Sequence, residues 1–594
     1  MKDKRGIKLI SIVGFALGLA ACGNHANQAA LDETPATTIA DISQLKLKTT
    51  NTASASKNGV LKLAEVTDTA FSGIFSDAFS ESELDTLFFK PANESLFTTD
   101  KELKMTAGAA QIAFDETAKT VTITLNEQVT WNDGQKVTAD DLLFPYLVIG
   151  NQEYTGVRYD ATMKNIVGME AYHDGQTDTI SGIKKLSDKA IQITYQVFTP
   201  SILQNANAGV LNYAMPKHAF AGIAVKDMAA SAPVRKTPLS FGPFYVSKII
   251  AGESVTFLPN RYYYGGTPQL VKIVMRTLPT SAATASMKVQ EFDIYDGMPS
   301  AEYTSWKGIK GYELLGQQET AYNYIGFKLG KWDADKGENV MDPTAKMGSQ
   351  ALRQAMGYAI DNDAIGRKLY NGLLTRANSL VVPAFGTKYD KTLPGYTKNV
   401  KKANQLLDDA GFKDKDGDGY REDQAGKKLE ISFAVRDRGT TEKSLAEYYI
   451  QSWKEIGLHV KLATGRLIET NSFYDKIQAD DPSIDMYAAG WQTGLDPNQA
   501  GLYGIDTKFN FSRFVSAENT ALLDEMSSKA AFDETQAAKI YKEWQAYANE
   551  QAFVIPTTYS TKVTPISKRV IGYDISRDLP YNIFAKVGVA NTTD

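Results

Sequence analysis

The sequence predicts an α/β protein with mixed sheets, divided into two or three domains. Three observations carry this. Residues 429–435, a helical face through Leu445, Tyr448, Tyr449, Trp453 and Ile456, and residues 458–462 read as strand, helix and strand. Such a βαβ unit has parallel strands and a right-handed crossover. Val121, Ile123 and Leu125 alternate with Thr122 and Thr124, the period of a half-buried strand, and turn and helix signals follow. The length, 594 residues, exceeds what one core supports.

The elements follow in chain order. Lys2, Lys4 and Arg5 precede an apolar run at 9–20, shorter than the roughly 20 residues that span a bilayer. It ends in Leu19-Ala20-Ala21-Cys22-Gly23, so residues 1–21 read as a targeting segment. Cys22 is the chain's one cysteine, so neither an intrachain disulfide nor thiolate catalysis is expected. Residues 22–56, rich in Ala, Thr, Asn and Ser, read as a flexible tether. Order begins with a strand near Val60. Asn132-Asp133-Gly134 signals a turn, and Thr138 reads as a helix N-cap with Asp140 and Asp141 at the positive end of the helix dipole. This stretch is read as a scaffold corner. Ser240 to Val246 is a turn entering a strand, and Arg261 to Gly266 is an aromatic cluster read as rim packing.

Residues 352–361 and 400–410 carry helical spacing, the second stopped by Gly411. A helix over 467–477 and a strand over 484–488 follow the βαβ unit. Gly490 to Pro497 then reads as a loop at the carboxyl end of a strand, where open α/β sheets place ligands. Residues 552–556 return the chain to its first domain.

Composition excludes several functions. Hydrophobic residues make up 43% and net charge is −5, a globular balance without the basic patch that nucleic acid requires. The four histidines, His25, His173, His218 and His459, are scattered, so no zinc site is expected. No phosphate loop and no Gly-x-Ser-x-Gly elbow occur. Asp414-Lys415-Asp416-Gly417-Asp418-Gly419 begins like a calcium loop, but Ala425 stands where the bidentate Glu belongs, and a turn is the preferred reading. No enzyme, cofactor or metal is expected.

Trp131-x-Asp133-Gly134-x-x-x-Thr138-Ala139-Asp140-Asp141 resembles a box of the bacterial extracellular solute-binding proteins that deliver dipeptides, oligopeptides or nickel to ABC importers. Leu19 to Gly23 looks like a lipobox, with Cys22 lipidated. The Gly242-Pro243-Phe244-Tyr245 turn, the Arg353 helix, the Asp414 turn, Gly490-Trp491 and Ile555-Pro556 follow in the family's order. The chain is most similar to oligopeptide-binding lipoproteins of Gram-positive bacteria.

The resemblance implies two lobes closing by a hinge, with an extra inserted domain. Its order places lobe I at 57–90, 216–320 and 554–594, the insert at 91–215 and lobe II at 321–553. It implies a monomer, lipid-anchored on the outer face of the cell membrane, that captures extracellular oligopeptides for ABC permease subunits. The alternatives are a signalling-peptide receptor and a binder of nickel, haem or a sugar. The candidate ligand residues are Gly490, Trp491, Gln492 and Thr493, with Tyr322 and Asn323. Many family members carry an Asp shortly after Gly-Trp to meet the peptide's amine, and some carry a cation just before it. Here Gln492-Thr493-Gly494 and Met486-Tyr487-Ala488-Ala489 stand in those places. Asp496, Asp485 or Glu469 are the candidates for the amine; alternatively the termini are not fixed. The second view predicts that peptides of about eight residues bind better than dipeptides.

Overall fold

The computed structural model describes residues 40–204, 209–438 and 440–591. The targeting segment and Cys22 lie outside them. One sheet runs through the molecule. Its strands are β1 (Val60–Val66), β2 (Phe244–Ile250), β3 (Ser254–Pro259), β4 (Lys272–Leu278), β5 (Ile294–Asp296), β6 (Tyr312–Phe327), β7 (Glu430–Val435), β8 (His459–Leu462), β9 (Met486–Gln492) and β10 (Val554–Ser567). Their spatial order is β8-β7-β9-β6-β10-β5-β1-β4-β3-β2, with Leu374–Arg376 pairing β10 off this path.

The sheet has two parallel wings joined by an antiparallel ribbon. In one wing β7 runs parallel to β8 and β9, as the βαβ reading predicts. In the other, β1 runs parallel to β4 and β5. The ribbon is β6 against β10, from Tyr312 opposite Ser567 to Gly326 opposite Val554. Its ladder is irregular between Gln318 and Tyr322 and between Asn323 and Tyr324.

Each wing has its own core. Phe433, Trp453, Phe473, Met486 and Trp544 belong to a core that also takes Tyr322 and Tyr324 of β6 and Val554 and Ile555 of β10. Leu61, Phe257, Ile273, Leu315 and Ile566 belong to the core of the β1 wing. The ribbon strands thus contribute one end to each core. A separate core between Leu96 and Phe241 covers a four-stranded antiparallel sheet whose middle pair is Thr120–Leu125 and Ala190–Thr194.

The scaffold reading of the Trp131 corner holds. Trp131 is buried and its indole N–H points at Asp141. Thr138 and Asp141 form a capping box at the head of helix Ala139–Gly150, and Gly134 takes φ +97°. Asn132 exchanges hydrogen bonds with Ser240, tying the corner to the Gly242-Pro243 turn. Arg353 is buried and donates to the carbonyls of Gln551 and Ala552, which close helix Glu534–Gln551.

The tether expectation is corrected for residues 40–56. Lys46 bridges to Leu315 and Lys48 to Asp574, and Ser56 donates to the carbonyl of Val589. Backbone partners decide this, because a polar segment with little apolar periodicity still orders where a strand edge accepts its amides. Among the described residues no helix is long and apolar enough to cross a membrane.

Candidate functional site

Two cavities flank the β6–β10 ribbon, and each takes wall residues from both wings. The first, about 660 Å³, lies at the carboxyl ends of β1 and β5. Gln317 to Glu319 of β6, Lys562 and Thr564 of β10, Asp296 of β5, and Leu495 from beyond β9 line it. Sheet register brings its charges together. Glu65 stands opposite Asp296, and Gln317 opposite Lys562. Lys562 Nζ lies 2.8 Å from Asp296 and holds that carboxyl below its usual range in spite of burial. Burial, then the Asp296 charge, pushes Glu65 well up. Burial also raises Glu319. Glu94 is 4% exposed; burial pushes it up to about 8, against the hydrogen bonds from Tyr264 and Tyr263.

The second cavity, about 550 Å³, lies further along the ribbon. Asn323 and Tyr324 of β6, Thr557 and Thr558 of β10, and Ala488 and Ala489 of β9 form one wall. Arg436 and Arg438, just beyond β7, form another, facing Thr280 and the 299–302 turn. Arg438 pairs with Glu442 at 2.9 Å, and Glu442 also accepts from the Tyr370 hydroxyl at 3.2 Å. The Arg436 guanidinium lies over the rings of Tyr474 and Phe473, at 5.3 and 5.9 Å. It makes no ion pair among the described residues; burial, then the Arg438 charge, lowers its pKa against the pull of Tyr474 and Glu442.

The predicted ligand residues are dispersed by this geometry. Asn323 lines the second cavity and donates to Thr558 Oγ1 at 3.1 Å. Gly490, Trp491 and Gln492 are not loop residues, as expected, but the last three residues of β9, paired with Asn323, Tyr322 and Ala321. Pairing with β6 continues past Ala488 and extends the strand. Gly490 serves this pairing, since a Cβ there would stand 2.9 Å from Asn323 Oδ1 and 3.3 Å from the Tyr322 carbonyl oxygen. Trp491 stacks on Phe511 at 5.3 Å, with its buried indole N–H unpartnered, and lines neither cavity. Thr493 is bound through both its amide and its hydroxyl to the Thr320 carbonyl.

The remaining candidates have structural partners. Tyr322 is buried and its hydroxyl meets that of Tyr503 at 2.6 Å. Asp485 accepts from Lys346 and from the Ser432 amide, at the start of β9 rather than its end. Glu469 caps helix Thr470–Gln478 and lines a hollow built wholly from residues 437–476. Asp496 sits in a narrow gap beside Ser201 and Lys388, where burial raises its pKa. Around that gap Glu534 joins Lys104 at 2.5 Å to Lys388 at 3.0 Å, and Phe198 stacks on Phe532. The segment 200–204 and the β7 wing therefore meet there.

Arg436, Arg438, Glu94 and Glu319 were not singled out from the sequence. For Arg436 a signal existed, because the carboxyl-end rule that selected 490–497 applies equally to the residues after β7. Glu319 offered none, because the 16-residue β6 does not alternate cleanly.

Asp414, Asp416 and Glu422 bring carboxylate oxygens within 4.8 Å of one another. Asp414 accepts from the amides of Gly417 and Gly419, and Lys428 pairs with Asp416 and Asp418. These are the turn contacts the sequence reading preferred. His459 stacks on Tyr420 and His173 on Tyr159, while His218 meets Asp133 at 2.9 Å.

Residues 108–513 match the bacterial extracellular solute-binding proteins, family 5 middle region. The oligopeptide-binding protein OppA of Lactococcus lactis subsp. lactis is 35% identical over 505 residues, 84% of each chain. The structure of lactococcal OppA complexed with an endogenous peptide in the closed conformation superposes with TM-score 0.78 at 34% identity, covering 90% of this chain and all of that one. The oligopeptide-binding protein AppA from Bacillus subtilis, in complex with a nonapeptide, shares the fold with TM-score 0.68 at 21% identity, covering 91% of this chain and all of that one.

Proposed function

The chain belongs to the family 5 bacterial extracellular solute-binding proteins, and from that premise we propose that it captures oligopeptides in the cleft between its two wings and delivers them to an ABC permease. The observation that carries this is the pair of cavities on the ribbon. Both draw walls from both wings, so a ligand filling them favours the closed arrangement of the two. Glu319 and Asn323, one in each cavity, are four residues apart on β6, about 13 Å in extended chain. An extended peptide crossing that span and entering both cavities needs more than a dipeptide. Main chain at the end of β9 can pair with it as in strand addition, which binds many sequences alike. Arg436 is the cation that meets its carboxylate.

The two wings correspond to lobes I and II of the family's order, with 91–215 inserted. The likeness of Leu19 to Gly23 to a lipobox supports lipid anchoring at Cys22 on the outer face of the membrane.

Mass spectrometry of ligands released from the purified, denatured protein tests the reading. A ladder of mixed peptides of about eight residues or more is expected. One dominant peptide would instead indicate a signalling receptor. No peptide, before or after adding a peptide digest, would overturn the proposal.

A further inference from the structure

We propose that the cavity at the carboxyl end of β5 binds a cationic group of the ligand, an ammonium or a guanidinium, with Glu319 as its partner and Glu94 beside it. This rests on the peptide reading above. Several other charges of the wall are engaged. Asp296 is paired with Lys562, and Lys90 acts on the same carboxylate. Asp574 accepts from the amide and hydroxyl of Ser576. The Arg577 guanidinium donates to the Gln318 carbonyl.

Glu319 differs from all of these. Its carboxylate lines the cavity, half-buried, with no hydrogen bond and no ion pair among the described residues. Glu94 supplies an independent sign. Its Oε1 accepts from the Tyr264 hydroxyl at 3.0 Å, but Oε2 is buried on the same wall with no partner. A buried acceptor left unmet is costly, and it is rare unless something else arrives to meet it. A cationic donor entering the cavity meets carboxyls on its wall, and charge-assisted hydrogen bonds are the strong ones.

The ligand's cation has two sources, its N-terminal amine and a Lys or Arg side chain. Titration calorimetry on the full chain separates them with one nonapeptide in four forms: a single internal Lys with free amine, norleucine in place of Lys, an acetylated N-terminus, and both changes together. We expect the doubly neutral form to bind about tenfold more weakly than the parent, with the single change that removes the recognised cation accounting for most of the loss. Glu319→Gln should weaken the parent about as much and leave the doubly neutral form unchanged, which also shows that the variant is folded. Equal affinity of all four forms for the unaltered protein would overturn this inference and leave the peptide reading intact. No binding of any form would overturn both.

Discussion

The two cavities beside the β6–β10 ribbon differ in how their charge is held. In the one at the carboxyl end of β5 some of the charged groups come from strands, so sheet register fixes Glu65, Asp296 and Lys562 against one another. In the other, Arg436 and Arg438 come from the stretch that leaves β7, and Arg436 rests on aromatic faces instead of a counter-charge. Strand-borne carboxyls cannot move apart, and burial, then the crowding of Asp296, raises the proton affinity of Glu65. A guanidinium on rings keeps its charge and stays open to an anion. The first cavity is therefore sensitive to pH.

The largest effect should come from that sensitivity. Glu94 has its proton affinity raised on folding, so its contribution to stability is fully present below about pH 4.5 and is lost as pH rises through about 8. Thermal melts from pH 5 to pH 9 should show the unaltered protein losing stability over this window, and Glu94→Gln should flatten the fall. A Glu94→Gln melt with an unchanged slope would break the contrast between the cavities. Next in size, Gly490→Val drives a branched side chain against Asn323 and the β6 backbone, and should cost about 1–3 kcal/mol in denaturant titration. It should weaken the free-acid peptide more than it affects recognition of the ligand's cation. Arg436→Ala should raise the Kd of a free-acid peptide about tenfold, or ~1.4 kcal/mol, and leave its C-terminally amidated form alone. The same loss for both forms would mean that Arg436 packs rather than pairs. Smallest, Lys104→Ala removes one arm of the Glu534 bridge, a partly exposed pair worth about 0.5 kcal/mol, and should show as a slight rise in peptide off-rate.

Much of the scaffold is legible from local rules. The Trp131 corner declares itself by turn and cap residues that are all within ten positions of one another. The βαβ unit of 430–462 declares itself by a change of hydrophobic period. The site is legible only in part, because its two cavities are assembled across the ribbon. Asp485 and Glu469 resemble free carboxylates in a sequence; Lys346 and two helix amides, invisible there, occupy them. Asp496 is two residues from the cavity wall at Leu495, yet lies in the gap against Ser201. Trp491 is drawn into a ring stack with Phe511, twenty residues away in the chain. Residues 40–56 looked unstructured because their partners, Leu315, Asp574 and Val589, are supplied by the rest of the fold.

The breaks in the β6–β10 ladder have a mechanical meaning. A two-stranded ribbon resists stretching along its strands but yields in torsion where a rung is missing, since such irregularities locally increase twist. Here the missing rungs fall between Gln318 and Tyr322. Glu319 lies within that interval, and Asn323 lies just past it. On the peptide reading proposed above, a guest gripping both residues would splint the ribbon where its ladder is broken and so couple occupancy to the angle between the wings.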